Sequence, residues 1–248
     1  MSLSKLCYTM CLLAFFPVYF VVAAPSESTA KRTEVWEPIP RSVAIGQQGI
    51  PTDAIIIFNG NSFDALKHED SSSVSWELQN GIMTVKPSSG DIVTRASFCD
   101  AQFHVEWRVP MSRYGDSNQH WGNSGLKIQE RYEIQILHSV DNPTYVNGQA
   151  GAIYKQYAPL VNASLDAGEW QTYDIIFTAP RFDEHKVLTS PAFITLFHNG
   201  VLVQNHVEVK GTTKNVGDPS YTAHGCAPLI IQEHTASVSF RNIWARKL

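Results

Sequence analysis

Phe193-Ile194-Thr195-Leu196-Phe197-His198, then Asn199-Gly200, then Val201-Leu202-Val203-Gln204-Asn205-His206-Val207-Glu208-Val209 is the stretch that decides the fold class. Asn-Gly supplies two adjacent residues that tolerate a positive φ, as a type I′ turn requires, and the β-branched and aromatic flanks suit extended chain. In the second arm Val201, Val203 and Asn205 alternate with Leu202, Gln204 and His206, a period of two. The same device stands earlier, where Trp76-Glu77-Leu78-Gln79 and Ile82-Met83-Thr84-Val85 flank Asn80-Gly81. Phe103 to Val109 alternates as a strand with one wet face does. Ala54 to Phe58 reads as a short buried strand, Gly125 to Leu137 holds two more, and Trp170 to Thr178 and Val238 to Ala245 add others. No stretch of ten or more residues carries a helical period. Many strands joined by turns, with no helices between them, imply an all-β antiparallel sandwich or barrel.

Outward from these strands the chain divides simply. Lys5 precedes an apolar run from Met10 to Val22, and Val22-Ala23-Ala24 places small residues at a cleavage site. This is the layout of a secretory signal peptide over residues 1–24, and Pro17 interrupts the run too early for a spanning helix. Residues 25–53 hold five prolines and glycines from Pro38 onward and read as an extended arm, with Val35, Trp36 and Ile39 expected to pin it. Residues 54–248 form one domain, a size common for all-β units. The expected location is therefore secreted or periplasmic.

Charge narrows the function classes. The full chain carries a net charge of −4 with acids and bases interspersed, and 44% of its residues are hydrophobic. No basic patch stands out, which argues against nucleic acid and against a membrane surface once the leader is removed. Cys99 and Cys226 remain in the mature chain and either pair or stay as two buried thiols. A bridge closing so long a loop contributes ~4–5 kcal/mol in the chain-entropy account.

The stretch with most chemical content is Gly122-Asn123-Ser124-Gly125-Leu126-Lys127-Ile128-Gln129-Glu130-Arg131-Tyr132-Glu133-Ile134-Gln135-Ile136. In its second strand Glu133 and Gln135 share one face while Tyr132, Ile134 and Ile136 share the other. In the first, Lys127 and Gln129 oppose Leu126 and Ile128. With the isoleucines in the core, a carboxylate, amides and a cation line the solvent-facing surface, a donor and acceptor set that suits sugar hydroxyls. An ordinary solvated sheet face has the same pattern. Histidines are the second lead: His120, His138, His198, His206, His224 and His234. None has zinc-ligand spacing, and Gln232-Glu233-His234 places two ionisable groups after the apolar run Leu229 to Ile231. Serine-nucleophile, phosphate-loop and dinucleotide motifs are absent.

Nine short motifs occur in order: Phe58-Asn59-Gly60; Gly122 to Gly125; Arg131-Tyr132-Glu133-Ile134-Gln135; Asn142-Pro143-Thr144-Tyr145; Gly148 to Tyr154; Gly168 to Asp174; Ala179-Pro180-Arg181-Phe182; His198 to Gln204; and Phe240-Arg241-Asn242-Ile243-Trp244. Together they resemble the 3-keto-disaccharide hydrolase domain family over about Thr33 to Leu248. The resemblance implies a concanavalin A-like jelly-roll β-sandwich of two antiparallel sheets with a sugar site on its concave face. It also implies cleavage of 3-keto-glycosides or 3-keto-disaccharides. A ketone at C3 acidifies the C2 hydrogen, so a base can form an enolate that expels the C1 substituent before water adds. Such a route needs a base and donors for the enolate oxygen, not the two facing carboxylates of ordinary glycosidases.

Carried onto this chain, the resemblance implies Glu133 or His234 as the base, and Arg131 or a bound divalent cation as the enolate stabiliser. Asn123, Lys127, Gln129, Arg131, Gln135 and Gln232 are the expected sugar contacts. The chain departs from the family pattern at Glu130, where Gly is usual, and at Cys99, His138 and Glu233. Glu130 implies altered hairpin geometry, and Cys99 raises a bridge to Cys226 particular to this chain. A non-catalytic lectin-like module on the same scaffold is the alternative reading. A conventional hydrolase of unoxidised glycans is weaker, because Glu133 is the only acid on its strand.

Overall fold

The two Asn-Gly dipeptides turn as read: φ is +51° at Asn80 and +77° at Gly81, and +51° at Asn199 and +77° at Gly200. A computed structural model describes residues 31–113 and 118–248. The leader read over residues 1–24 lies outside the described residues. Among them, no helix is long and apolar enough to cross a membrane.

Strands are numbered along the chain. The larger sheet holds β1 (Ile55–Phe58), β3 (Glu77–Gln79), β4 (Ile82–Thr84), β6 (Ala101–Arg108), β9 (Gln171–Thr178), β12 (Phe193–His198), β13 (Val201–Glu208) and β15 (Ser239–Lys247). The smaller holds β2 (Leu66–His68), β5 (Ile92–Thr94), β7 (Ser124–Ile128), β8 (Tyr132–Ile136) and β14 (Ile230–Ile231). A ribbon of β10 (Arg181–Phe182) and β11 (Leu188–Ser190) stands apart. The larger sheet runs β13-β12-β9-β6-β15-β4-β3, with β1 also on β15, and the smaller runs β2-β5-β14-β7-β8. Every strand pairing is antiparallel. The helices that lie wholly within the described residues are 3₁₀ turns of three residues. The result is a sandwich, as the strand pattern allowed, and the jelly roll that the family resemblance implied.

Period-two alternation places the core. In β6, Ala101, Phe103, Val105 and Trp107 are fully buried while Gln102, His104, Glu106 and Arg108 face outward. Trp107 meets Tyr173 of β9 edge-on at 5.1 Å, and Phe177 of β9 reaches Tyr132 of β8 at 5.7 Å. The Tyr173 hydroxyl donates to the Gln135 carbonyl at 2.8 Å, tying the larger sheet to β8. Burying aromatic side chains of this size is worth about 2–3 kcal/mol each, so the sheets are held face to face where the smaller one carries its polar residues.

Alternation fails in β13. Val203 and Gln204 are both buried, because the β12–β13 register shifts and His206 takes φ +48°. Gln204 turns inward to donate to the Gly151 and Ala158 carbonyls. Cys99 and Cys226 are disulfide-bonded, with Cα atoms 4.6 Å apart. Beside them Phe98 and Ala227 form an isolated bridge, so the linkage staples two neighbouring segments.

The chain separates into two units at Ser42/Val43. In the first, Val35, Trp36 and Ile39 are 86%, 79% and 75% exposed. The second runs from Val43 to Leu248 and contains all of the strands.

Candidate functional site

β7 and β8 make the hairpin on which the site is built. Leu126, Ile128, Tyr132, Ile134 and Ile136 point into the core and are fully buried. The alternate residues then share the other face, with Lys127 opposite Glu133 and Gly125 opposite Gln135. That face is not the open surface the sequence suggested: Glu133 is 6% and Gln135 1% exposed. The free edge of β8 is closed by residues 151–154, through Gly151 N to Gln135 O, Gln135 N to Ala152 O and Tyr154 N to Glu133 O, each 3.0 Å. Thr213 closes the other end, donating its N–H to the Arg131 carbonyl and accepting the Glu133 N–H on its hydroxyl. An edge strand covered in this way turns a sheet face into a pocket.

The pocket has a volume of about 310 Å³, within the about 300–1,000 Å³ usual for small-ligand sites. Six predicted residues line it: Asn123, Lys127, Glu133, Gln135, Gln232 and His234. Gln232 and His234 arrive because the chain after β14 runs on beside β7, the Gln232 N–H donating to the Gly125 carbonyl at 2.9 Å. Ser124 Oγ donates to the Gln232 carbonyl at 2.7 Å and fixes this crossing.

Glu133 has no hydrogen bond to its carboxyl group from any described residue. Burial is the main cause that pushes its pKa up to about 7; nearby Lys127 pulls it down and Asp91 pushes it up. Lys127 is itself held by Asp91, Nζ to Oδ2 at 3.3 Å. Space for the carboxylate comes from Gly125, where a Cβ would lie 2.7 Å from Glu133 Oε1. Around it are orphaned polar atoms. Gln135 Nε2 donates to Asn123 Oδ1 at 3.2 Å, which leaves Gln135 Oε1 buried without a partner. Gln232 Oε1 and His234 Nδ1 are equally buried and unpartnered. Each such group costs about 1–3 kcal/mol if nothing satisfies it, so three in one cavity mark a place built for a hydrogen-bonding ligand.

Gln129 and Arg131 do not join them. Both sit in the β7–β8 turn, where Gln129 and Glu130 take φ +53° and +62° and break the alternation. Gln129 turns away and donates to the Phe98 carbonyl, beside the disulfide. Arg131 folds back on the turn, Nη1 to the Gln129 carbonyl at 2.7 Å. Arg131 is therefore not placed to stabilise an enolate at Glu133. Glu130 adopts the left-handed conformation glycine favours, so the turn is kept, at some backbone strain.

Three lining residues were missed. Tyr154 lay within a quoted motif without a role, and Thr213 and Asn215 sit in a loop with no pattern. Burial, then the hydrogen bond with Tyr145, holds the Tyr154 phenol above its ordinary range, so it stays a neutral hydroxyl. His120 stands behind His234, ring centres 6.0 Å apart. Among the described residues no group of three or more His, Cys, Asp or Glu assembles a metal-ligand set; Glu133 and His234 are the pocket's only such donors.

Residues 53–246 match the 3-keto-alpha-glucoside-1,2-lyase-like domain. The chain belongs to this family. Among solved structures it is similar to a candidate glycosyl hydrolase from Parabacteroides distasonis ATCC 8503. That likeness has 43% identity and a TM-score of 0.85, covering 89% of this chain and 97% of the other. A second candidate glycosyl hydrolase from the same organism shares the fold at 18% identity and a TM-score of 0.56, covering 79% of this chain and 94% of the other. No curated protein matches the chain.

Proposed function

We propose that this domain cleaves 3-keto-glycosides by elimination and hydration, with Glu133 as the base. The observation that carries the reading is the Glu133 carboxyl group, in a polar pocket, free of hydrogen bonds and with its pKa near 7. A base is most useful when its pKa lies near the working pH. Family membership and the glycosyl hydrolase neighbour support a glycoside as substrate.

In the proposed sequence Glu133 takes the proton from C2, and the C–H electrons form the C2–C3 enolate. Lys127 and the Tyr154 hydroxyl supply positive charge and a donor near the developing oxyanion. As the C3 carbonyl re-forms, the electron pair moves to a C1–C2 double bond and the C1–O bond breaks. His234 gives a proton to the departing oxygen. Water then adds at C1, giving its proton to His234, while Glu133 returns its proton to C2, so both groups are restored and the net change is hydrolysis. Gln135 Oε1 and Gln232 Oε1 accept from ring hydroxyls and hold the sugar in register. We also propose that the domain works outside the cytoplasm, which the leader-like segment and the disulfide support.

The test is turnover of a 3-keto-glucoside, followed by release of 3-keto-glucose. Glu133→Gln and His234→Ala should each lower it by at least ~100-fold. Sugar binding without turnover, across pH and with divalent metals supplied, would establish the lectin-like alternative instead.

A further inference from the structure

A second cavity lies on the outer face of the larger sheet, on the far side of the sandwich from Glu133. It has a volume of about 350 Å³ and is lined by Gln48, Asn59, Asn80, Glu106, Arg241 and Asn242. Its rim comes from two turns pressed together: a Cβ on Gly60 would fall 2.8 Å from the Gly81 Cα, so Asn59 and Asn80 stand side by side. Its floor comes from β6 and from a bulge in β15, where the register shifts between Arg241 and Trp244 and Asn242 takes φ +45°. Three residues of this one cavity, Gln48, Asn80 and Asn242, are non-glycine residues in the left-handed region. At Asn80 the positive φ belongs to its hairpin turn; at Gln48 and Asn242 it is strain of the kind that gathers at ligand sites, and bulges commonly re-aim side chains there.

The polar groups are pre-set and charge-balanced. Glu106 accepts from Arg241 Nε at 2.6 Å and from Asn242 Nδ2 at 2.8 Å. Burial alone would raise the Glu106 pKa, but these two donors and the Arg241 charge outweigh it, so the carboxylate stays ionised against its guanidinium. Arg241 is held over the Trp170 ring at 4.1 Å, and its terminal NH₂ groups have no partner among the described residues. Asn242 is 9% exposed, and its Oδ1 is buried without a partner. The exposed side-chain amides of Gln48 and Asn80 make no hydrogen bond to any described residue, so both face the cavity free to pair. An anion would meet Glu106, a cation would meet Arg241, and an apolar ligand would strand the amides. Amides that both donate and accept match vicinal hydroxyls.

We propose that this cavity is a second, non-catalytic binding site for a neutral saccharide, independent of the chemistry at Glu133. The test uses the full chain titrated calorimetrically with maltotriose and cellotriose, and with a trimer of glucuronate as the charged control. Asn80→Gly and Gln48→Gly each delete one amide at a position whose positive φ glycine takes without strain, so the fold is retained. Each should weaken neutral trisaccharide binding at least tenfold with melting temperature and 3-keto-glucoside turnover unchanged. Lys127→Met in the other pocket should leave this binding in place. The proposal is overturned if neither neutral trisaccharide binds, if binding ignores both glycine variants, or if the glucuronate trimer binds more tightly. None of those outcomes touches turnover at Glu133, which fails or stands on its own assay.

Discussion

Glu133→Gln should stabilise the protein at neutral pH and leave it nearly unchanged in acid. The carboxyl titrates at about 7 in the fold against an ordinary value of 4.5, and each pH unit is worth about 1.36 kcal/mol. The folded state thus binds its proton more tightly than the unfolded chain does. Below about pH 4.5 both states are protonated and the residue contributes nothing. Between about 4.5 and 7 the unfolded chain ionises first, so stability falls as pH rises, by about 3 kcal/mol in all, and then levels off. Glutamine matches the protonated acid in shape and cannot ionise, so it escapes this cost. The difference between variant and wild type, from denaturant unfolding at intervals between pH 4 and 8.5, should climb from near zero to about 3 kcal/mol and flatten above 7. A flat difference, or one that grows toward acid, would show that Glu133 is not held near 7 and would remove it as a base suited to neutral pH. The same titration should appear as the acid limb of kcat/KM, with activity rising through pH 7.

Other expectations concern the surroundings of Glu133. Lys127→Met removes the cation that lowers this pKa and leaves the Asp91 charge without its ion pair, so the acid limb of the pH–rate profile should move upward by roughly one pH unit; a downward move would refute the assigned charges. Gly125→Ala places a methyl group 2.7 Å from the Glu133 carboxylate and should cost about 1–3 kcal/mol of stability with at least a ~10-fold loss of turnover, read by denaturation and initial rates. Replacing Cys99 and Cys226 together with serine opens a loop with a sequence separation of 127 and should cost about 5 kcal/mol; an unchanged denaturation midpoint would show the bond to be energetically idle.

The strands were legible because their signals are local. Asn80-Gly81 and Asn199-Gly200 each fix a turn within two residues, and the alternation in β6 needs only its own side chains. The content of the pocket was legible for the same reason, since Glu133, Gln135 and Lys127 follow from one hairpin register. Its depth was not. Glu133 is buried by Tyr154, Thr213 and Asn215, which come from about 20 to 80 residues further along the chain and carry no periodic mark. Gln129 was misplaced because alternation was extended past Ile128 into a turn with two left-handed residues, and Arg131, taken from the family motif, folds back on that same turn. Val203 and Gln204 illustrate the same limit, since a bulge resets which face a residue occupies.

The burial that makes Glu133 costly depends on a rigid hairpin, and the hairpin is held from three directions. Gln129 anchors its turn to the Phe98 carbonyl, next to the Cys99–Cys226 bond. Tyr173 reaches across the core to the Gln135 carbonyl, and residues 151–154 bond along the outer edge of β8. A carboxyl group on a looser strand would swing out to water and return toward its ordinary value, because the cost of desolvation is avoided whenever the chain can move. The disulfide, worth about 5 kcal/mol, exceeds the roughly 3 kcal/mol that a dry carboxylate costs at neutral pH. The staple and the strained acid are thus connected through one turn.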